Sequence, residues 1–268
     1  MSTSEYARAA VLGTLQGITE FLPISSDGHL AIARHFLGGT EAALGETVLL
    51  HLGTLLATAL VLRSDIGRSL TGTLGAIRSR ALDTDAAIEA RNVVVASIPT
   101  AAIGLAMEPH VDAWSANLAI VGVCLGISAA FVGSSHRTRN GVAESLSLRG
   151  AILVGIIQGL AVLPGWSRSG STIAAAMALG ASPLAAFRFS FLLSLPAVAG
   201  ACLLELRHPE TWARFDGASY TGAVIAFVVG VGALSLLRTT LGTGRFAWFA
   251  PYLAILSIAV LGLYATSG

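Results

Sequence analysis

Lysine is missing from this chain altogether, and charge of either sign is scarce: 16 arginines and 15 acidic residues make up only 12% of the sequence. An ordinary soluble domain carries about 25% charged residues, so the polar coat of a soluble globular protein is excluded. The near-cancellation of the two signs excludes an extended basic face, and with it a nucleic-acid partner. Cysteine is almost absent too. Cys124 and Cys202 both sit inside apolar runs, which leaves neither a disulfide framework nor a thiolate metal site. One acid and one base, Glu5 and Arg8, precede the first apolar run, with no small-residue cleavage site. That run is therefore expected to be retained rather than removed as a signal peptide.

What the chain has instead is apolar length: 54% of its 268 residues are hydrophobic and the mean hydropathy is +0.76. A helix that crosses a bilayer needs about 20 apolar residues. Six stretches come close enough to serve: 46–63, 90–107, 117–134, 185–205, 219–237 and 247–265. Turn and charge signals bound most of them, such as Arg63-Ser64-Asp65 and Arg207-His208-Pro209. Two further stretches, 6–37 and 150–180, are apolar but broken. The first is interrupted by Leu22-Pro23-Ile24-Ser25-Ser26-Asp27-Gly28-His29, the second by Leu163-Pro164-Gly165-Trp166-Ser167-Arg168-Ser169-Gly170. Free backbone groups at such breaks cannot face lipid. Each stretch is expected to be a re-entrant helix–loop–helix that returns to its own side. The fold class expected is all-α integral membrane, with six transmembrane helices and two re-entrant hairpins.

The two halves resemble each other. Leu15-Gln16-Gly17-Ile18 matches Ile157-Gln158-Gly159-Leu160, and a Leu-Pro and then a serine, Ser26 or Ser167, follow in each half. Residues 1–134 and 135–268 are thus expected to be two repeats of one membrane domain, each with one hairpin and three spans. Three is odd, so the second copy sits inverted, and the two broken segments meet near the bilayer midplane. Arginine distribution orients the whole. Ten arginines (63, 68, 78, 80, 91, 137, 139, 149, 238 and 245) gather on one side, against Arg8, Arg34, Arg207 and Arg214 on the other. The richer side is expected to be cytoplasmic, with both termini outside and the first hairpin entering from outside. The segment 64–89 is expected to be a solvated cytoplasmic connection. Gly122 and Gly126, four residues apart, pack helices either within the chain or between two copies in a homodimer.

Glu20, Asp27, His29 and Arg168 then fall at membrane depth. A charge near the bilayer centre costs ~2.5–3.5 kcal/mol on insertion scales, so such residues face one another or a wet cavity and mark function. Gln16 and Glu20 share one helix face; their oxygens suit a divalent cation or an oriented water. Ser26, Asp27 and His29 bring hydroxyl, carboxylate and imidazole together after a Pro turn. In the second break, glycines free backbone N–H groups and Arg168 offers a planar fork of five donors. Ser167, Ser169, Ser171 and Thr172 add hydroxyls. In a soluble protein this would be a polar turn; between two apolar helices it is expected to be an anion site.

The stretches Gln16–His29 and Pro164–Thr172 resemble the two signature motifs of the undecaprenyl-diphosphate phosphatase family, the bacitracin-resistance type. The resemblance runs on through Leu50-His51-Leu52-Gly53-Thr54 and Phe189-Ser190-Phe191-Leu192-Leu193, and so over nearly the whole chain. It implies a cell-membrane enzyme that removes the terminal phosphate of a C55 polyprenyl diphosphate, recycling the lipid carrier of envelope glycan synthesis; on the arginine distribution its site is expected to open to the outer side. Matched position by position, Glu20, Ser26 and His29 fall on the first motif, and Ser167, Arg168 and Thr172 on the second. Gln16 stands where many members have Glu, and Asp27 where Thr or a small residue is common. On this basis Arg168, Ser167, Ser169 and Thr172 are expected to bind phosphate. Glu20, with Gln16 and Asp27, is expected to hold Mg²⁺ or Ca²⁺ or orient the attacking group. Either His29 or Ser26 attacks phosphorus, or His29 acts as acid/base for water. A polyprenyl-phosphate transporter is the alternative, since inverted repeats with broken helices are also a transporter plan.

Overall fold

In the computed structural model, residues 3–37, 43–80, 84–212 and 215–267 are described. All regular structure among them is helical, save one isolated β-bridge between Ala143 and Ala181. The first half holds α1 (Thr3–Thr19), α2 (Ser26–Leu37), α3 (Ala43–Val61), α4 (Arg63–Ser79), α5 (Asp85–Met107), α6 (Val111–Ser115) and α7 (Leu118–Thr138). The second holds α8 (Leu148–Leu160), α9 (Arg168–Ala178), α10 (Pro183–Glu205), α11 (Pro209–Trp212), α12 (Gly217–Gly242) and α13 (Phe249–Ser267). The six expected spans are α3, α5, α7, α10, α12 and α13, and the two expected hairpins are α1/α2 and α8/α9. Helices α5, α7, α10, α12 and α13 are each long and apolar enough to cross a membrane. The sixth span, α3, meets that requirement together with α4, from which it is bent by 71°. The chain is a multi-pass membrane protein.

The helices pair across the halves. α1 lies along α12 as α8 lies along α5, α3 packs on α12 as α10 packs on α5, and α7 pairs with α13. Small residues make these approaches. A Cβ on Gly13 of α1 would lie 2.3 Å from the Gly222 carbonyl oxygen, and one on Gly155 of α8 would lie 2.3 Å from that of Ala96. Each half therefore seats its hairpin against the other half's long helix, backbone on backbone. The same logic locates Gly122 and Gly126. A Cβ on Gly122 would strike Leu261 at 2.7 Å, and Ser257 donates to the Gly122 carbonyl at 2.7 Å and faces Gly126. That stripe packs within the chain, on α13.

One expectation needs correction. The 64–89 segment is helical rather than a loop: its described part runs through α4, none of whose residues is buried, and into the first turns of α5. Leu70, Leu74 and Ile77 recur at helical spacing and are 61%, 67% and 71% exposed, while Gly72 lets α4 sit on Ala86 and Ala87. The polar residues between them masked this period. Of the arginines used for orientation, Arg214 lies outside the described residues.

Four of the long helices, α5, α7, α10 and α12, begin at side-chain caps. The Asp216 carboxylate starts α12, accepting from the Ser219 backbone N–H at 2.8 Å and from its hydroxyl at 2.7 Å. These two donors, backbone and hydroxyl, hold the Asp216 carboxyl below its usual range. Its contribution is thus complete above the unfolded carboxyl value, about 3.9, and fades as pH falls through the lower folded value. Asp216→Ala is expected to cost about 1 kcal/mol. Thermal midpoints in detergent at pH 7 and pH 3 check this: Asp216→Asn should keep the cap and flatten its pH dependence.

Candidate active site

The first break begins as a continuation of α1. Glu20 N–H still donates to the Gln16 carbonyl (2.9 Å) and Leu22 N–H to that of Ile18 (3.2 Å). Pro23, which has no N–H to give, ends the helical path. Ser25 then turns the chain through a left-handed conformation (φ 71°), and its hydroxyl accepts from Gly28 N–H at 3.2 Å, capping α2. Phe21 anchors the turn: it is fully buried, with its ring 5.9 Å from that of Phe191 on α10.

The second break is built differently. Gly165 takes φ 94°, where a side chain would be strained, and a Cβ there would lie 2.4 Å from the Val121 carbonyl. Ser128 of α7 clamps the loop from the other half, donating to the Gly165 carbonyl (3.0 Å) and accepting from Ser167 N–H (2.7 Å). The Ser167 hydroxyl caps α9 by accepting from Gly170 N–H at 3.1 Å. Arg168 is therefore the first residue of α9, at its positive end.

The two tips touch. A Cβ on Gly28 would come within 2.9 Å of Gly165 Cα, so glycine is what allows the loops to meet. Across that contact, Arg168 Nη2 donates to Glu20 Oε1 at 2.5 Å. The other carboxylate oxygen, Oε2, accepts from the Ser26 hydroxyl (2.6 Å) and the Gln16 amide (3.1 Å). Gln16 and Glu20 are both buried. Two buried atoms here have no partner, Arg168 Nη1 and Gln16 Oε1. The first is a charged donor and the second an acceptor. In an apolar setting both are costly to leave unmet, which makes them places where a ligand atom is expected.

Other expected site residues take up supporting places. The Ser169 hydroxyl donates to the Leu22 carbonyl at 3.4 Å, tying one loop to the other. Thr172 donates to the Arg168 carbonyl (2.7 Å) and shares a 2.6 Å bond with Ser190 of α10. With Ser167 capping α9, all three hydroxyls brace the loop that presents Arg168. His29 is turned away from Glu20: its Nδ1 meets the Ser25 carbonyl at 2.7 Å and its Nε2 the Tyr252 hydroxyl of α13 at 2.6 Å.

Four further residues frame these hairpin tips: Ser128 and Tyr252, which sequence reasoning missed, and Ser190 and His51, which it held only as members of signature-like segments. The last stands on α3, its Nδ1 donating to the Thr47 carbonyl (2.9 Å) and its Nε2 lying 3.9 Å from Glu20 and 4.0 Å from Asp27. All four reach the hairpins from neighbouring spans, and periodicity within one helix carries no information about which helix lies opposite. The signature-like segments around His51 and Ser190 were the one available signal.

Comparison with known proteins gives a consistent picture. Residues 9–259 match the family described as bacitracin resistance protein BacA. An undecaprenyl-diphosphatase of Desulfosudis oleivorans is 44% identical over 263 residues, covering 94% of this chain and 96% of that protein. One from Desulforapulum autotrophicum is 42% identical, with 92% and 94% covered. A more distant one, from Korarchaeum cryptofilum, is 35% identical with 97% and 99% covered.

Proposed function

This chain belongs to the bacitracin resistance protein BacA family, and from that premise we propose that it hydrolyses undecaprenyl diphosphate to the monophosphate and inorganic phosphate, as its relatives' names state for them. The observation that carries this is the unpartnered Arg168 Nη1. One arm of the guanidinium is held by Glu20 and the other is left for an anion, for which the terminal phosphate offers acceptor oxygens.

The reaction follows from the contacts. Terminal-phosphate oxygens bind Arg168 Nη1 and the N-terminal end of α9, drawing the guanidinium partly from Glu20. The carboxylate so released takes the proton of the Ser26 hydroxyl, with which it already shares a 2.6 Å bond. Ser26 Oγ forms a bond to the terminal phosphorus as the bond from that phosphorus to the bridging oxygen breaks, and undecaprenyl phosphate leaves. Water then attacks that phosphorus as its bond to Ser26 Oγ breaks; the proton held on Glu20 returns to Oγ, and inorganic phosphate leaves carrying the hydrogens of the water. Phosphoryl transfer of this kind rests on positioning and charge neutralisation. His29, with both ring nitrogens engaged, supports the loop and leaves attack to Ser26.

A divalent cation suits the same residues. The buried, unpartnered Gln16 Oε1 is an oxygen ligand without a donor, and oxygen donors are what Mg²⁺ and Ca²⁺ take. No three His, Cys, Asp or Glu side chains converge as a cage among the described residues, so substrate oxygens would complete the shell, as they commonly do for Mg²⁺. Gln16, Glu20 and Asp27 are the residues that would hold it. When bound, it would neutralise charge on the diphosphate. We place both termini outside and the site open to the outer leaflet, on the arginine asymmetry.

Purified protein in detergent, given undecaprenyl diphosphate, is expected to release one inorganic phosphate per lipid, and Glu20→Ala none. A protein that only carried the lipid across the bilayer would release no phosphate in either form. EDTA should suppress release, and added Mg²⁺ or Ca²⁺ should restore it.

A further inference from the structure

Tyr252 lies in no motif, and its neighbours in sequence gave no reason to single it out. It stands in the first turn of α13, 46% exposed, and its ring stacks on that of His29 with centroids 5.8 Å apart and planes 9° apart. Its hydroxyl is 2.6 Å from His29 Nε2. The direction of that bond follows from the other ring nitrogen. A carbonyl oxygen only accepts, so the 2.7 Å contact between His29 Nδ1 and the Ser25 carbonyl requires the proton on Nδ1. In the neutral ring Nε2 is then the acceptor, and the phenol O–H donates to it.

The chain of bonds ends at a strained place. Ser25 holds φ 71°, a left-handed conformation that a non-glycine residue adopts only when its surroundings enforce it. Its carbonyl receives both the His29 imidazole N–H and, at 3.2 Å, the His29 backbone N–H. The next residue is Ser26, whose hydroxyl meets Glu20.

We propose that Tyr252 is a positioning residue for the hydrolase reaction: its hydroxyl fixes the His29 tautomer and ring plane, His29 clamps the Ser25 carbonyl, and the clamped left-handed turn aims the Ser26 hydroxyl at Glu20 and the terminal phosphorus. The inference rests on the hydrolase reading above. It makes α13, a span outside both hairpins, part of the machinery, and it gives His29 the role of a brace.

Tyr252→Phe keeps the stacked ring and removes only the donor. It is expected to lower kcat about tenfold, the rate equivalent of one ordinary hydrogen bond, with KM and the thermal midpoint in detergent unchanged. Ser25→Gly supplies a rescue, because glycine enters the left-handed region without strain and is accepted as a helix cap. The double variant Tyr252→Phe/Ser25→Gly should recover most of the lost rate. Parent-like kinetics in Tyr252→Phe would overturn the proposal, as would a loss that merely follows a lowered thermal midpoint. A kcat defect untouched by Ser25→Gly would overturn the route through Ser25. The parent protein is assayed alongside: if it releases no phosphate, the hydrolase reading fails and this inference falls with it, whereas a turning-over parent and an equally active Tyr252→Phe condemn the inference alone.

Discussion

Arg168→Ala should end phosphate release, and Arg168→Lys should restore only a small part of it. Arginines that bind the transferred phosphoryl group are worth on the order of 10³–10⁵ in rate. Here the guanidinium also carries a second duty, because Nη2 is the partner of the buried Glu20 carboxylate. A lysine ammonium is a single point of charge and cannot hold a carboxylate on one edge and a phosphate on the other. It is therefore expected to keep the pair with Glu20 and the fold, and to lose the phosphate. Removing one member of a buried ion pair costs about 3–5 kcal/mol because the survivor is left unpaired. A thermal midpoint must accompany the kinetics, and Arg168→Lys is the variant that separates lost folding from lost binding. Parent-like turnover in Arg168→Ala, with the protein folded, would remove Arg168 from the anion site and with it the central support for the reaction.

The placement of the pair also explains why one free donor atom is informative. In water an unpaired guanidinium nitrogen is simply hydrated. At the tips of two hairpins, where Gly28 meets Gly165 and the Arg168 side chain is only 17% exposed, a substrate oxygen that meets the free nitrogen gains more than it would in water. Low polarity strengthens every charge interaction that remains. Glu20, paired with Arg168, and Asp27, which with Glu20 flanks His51, already bring two carboxylates to the place where a diphosphate adds further negative charge. That accumulation is the physical reason for expecting the EDTA effect.

The plan of the molecule was open to reading because its signals are local. Six apolar runs became α3, α5, α7, α10, α12 and α13, and both Pro/Gly/Ser breaks became hairpin tips. The Gln16/Glu20 spacing predicted the shared face on which the 3.1 Å bond occurs. Boundaries drifted where caps extend a helix past its apolar run, as Asp216 does for α12. The helical character of 64–89 was hidden by charges such as Asp65 and Arg68, which pair with each other on the outside of α4. The orientation of His29 was illegible for a different reason. Its place in a motif with Ser26 and Asp27 says that the three are near one another, but its ring is captured by Tyr252, 223 residues away. Motif spacing fixes the backbone neighbourhood, and the partner of a side chain is chosen by the packing of spans.

Ser26→Ala distinguishes a covalent route from direct attack by water, and a loss of at least ~10³-fold in kcat is expected, in the range seen when a nucleophile is deleted. The argument is geometric. Among the described residues Ser26 is the one hydroxyl bonded to Glu20, at 2.6 Å on the oxygen that Arg168 does not occupy, so its proton has a destination when phosphate draws the guanidinium aside. Rapid quench of the parent with lipid labelled in the terminal phosphate should trap label on the peptide carrying Ser26; Ser26→Ala should trap none. Glu20→Gln offers a finer test. It retains an oxygen to accept from Ser26 but cannot take its proton, so label should appear on the peptide far more slowly while the lipid still binds. Had water been the attacker, Ser26 would only orient it, and its removal would cost about one hydrogen bond, roughly tenfold, with no labelled peptide in any variant. A parent that turns over without trapped label, together with a Ser26→Ala variant within about tenfold of it, would return the nucleophile to water and leave Ser26 as the group that aligns it.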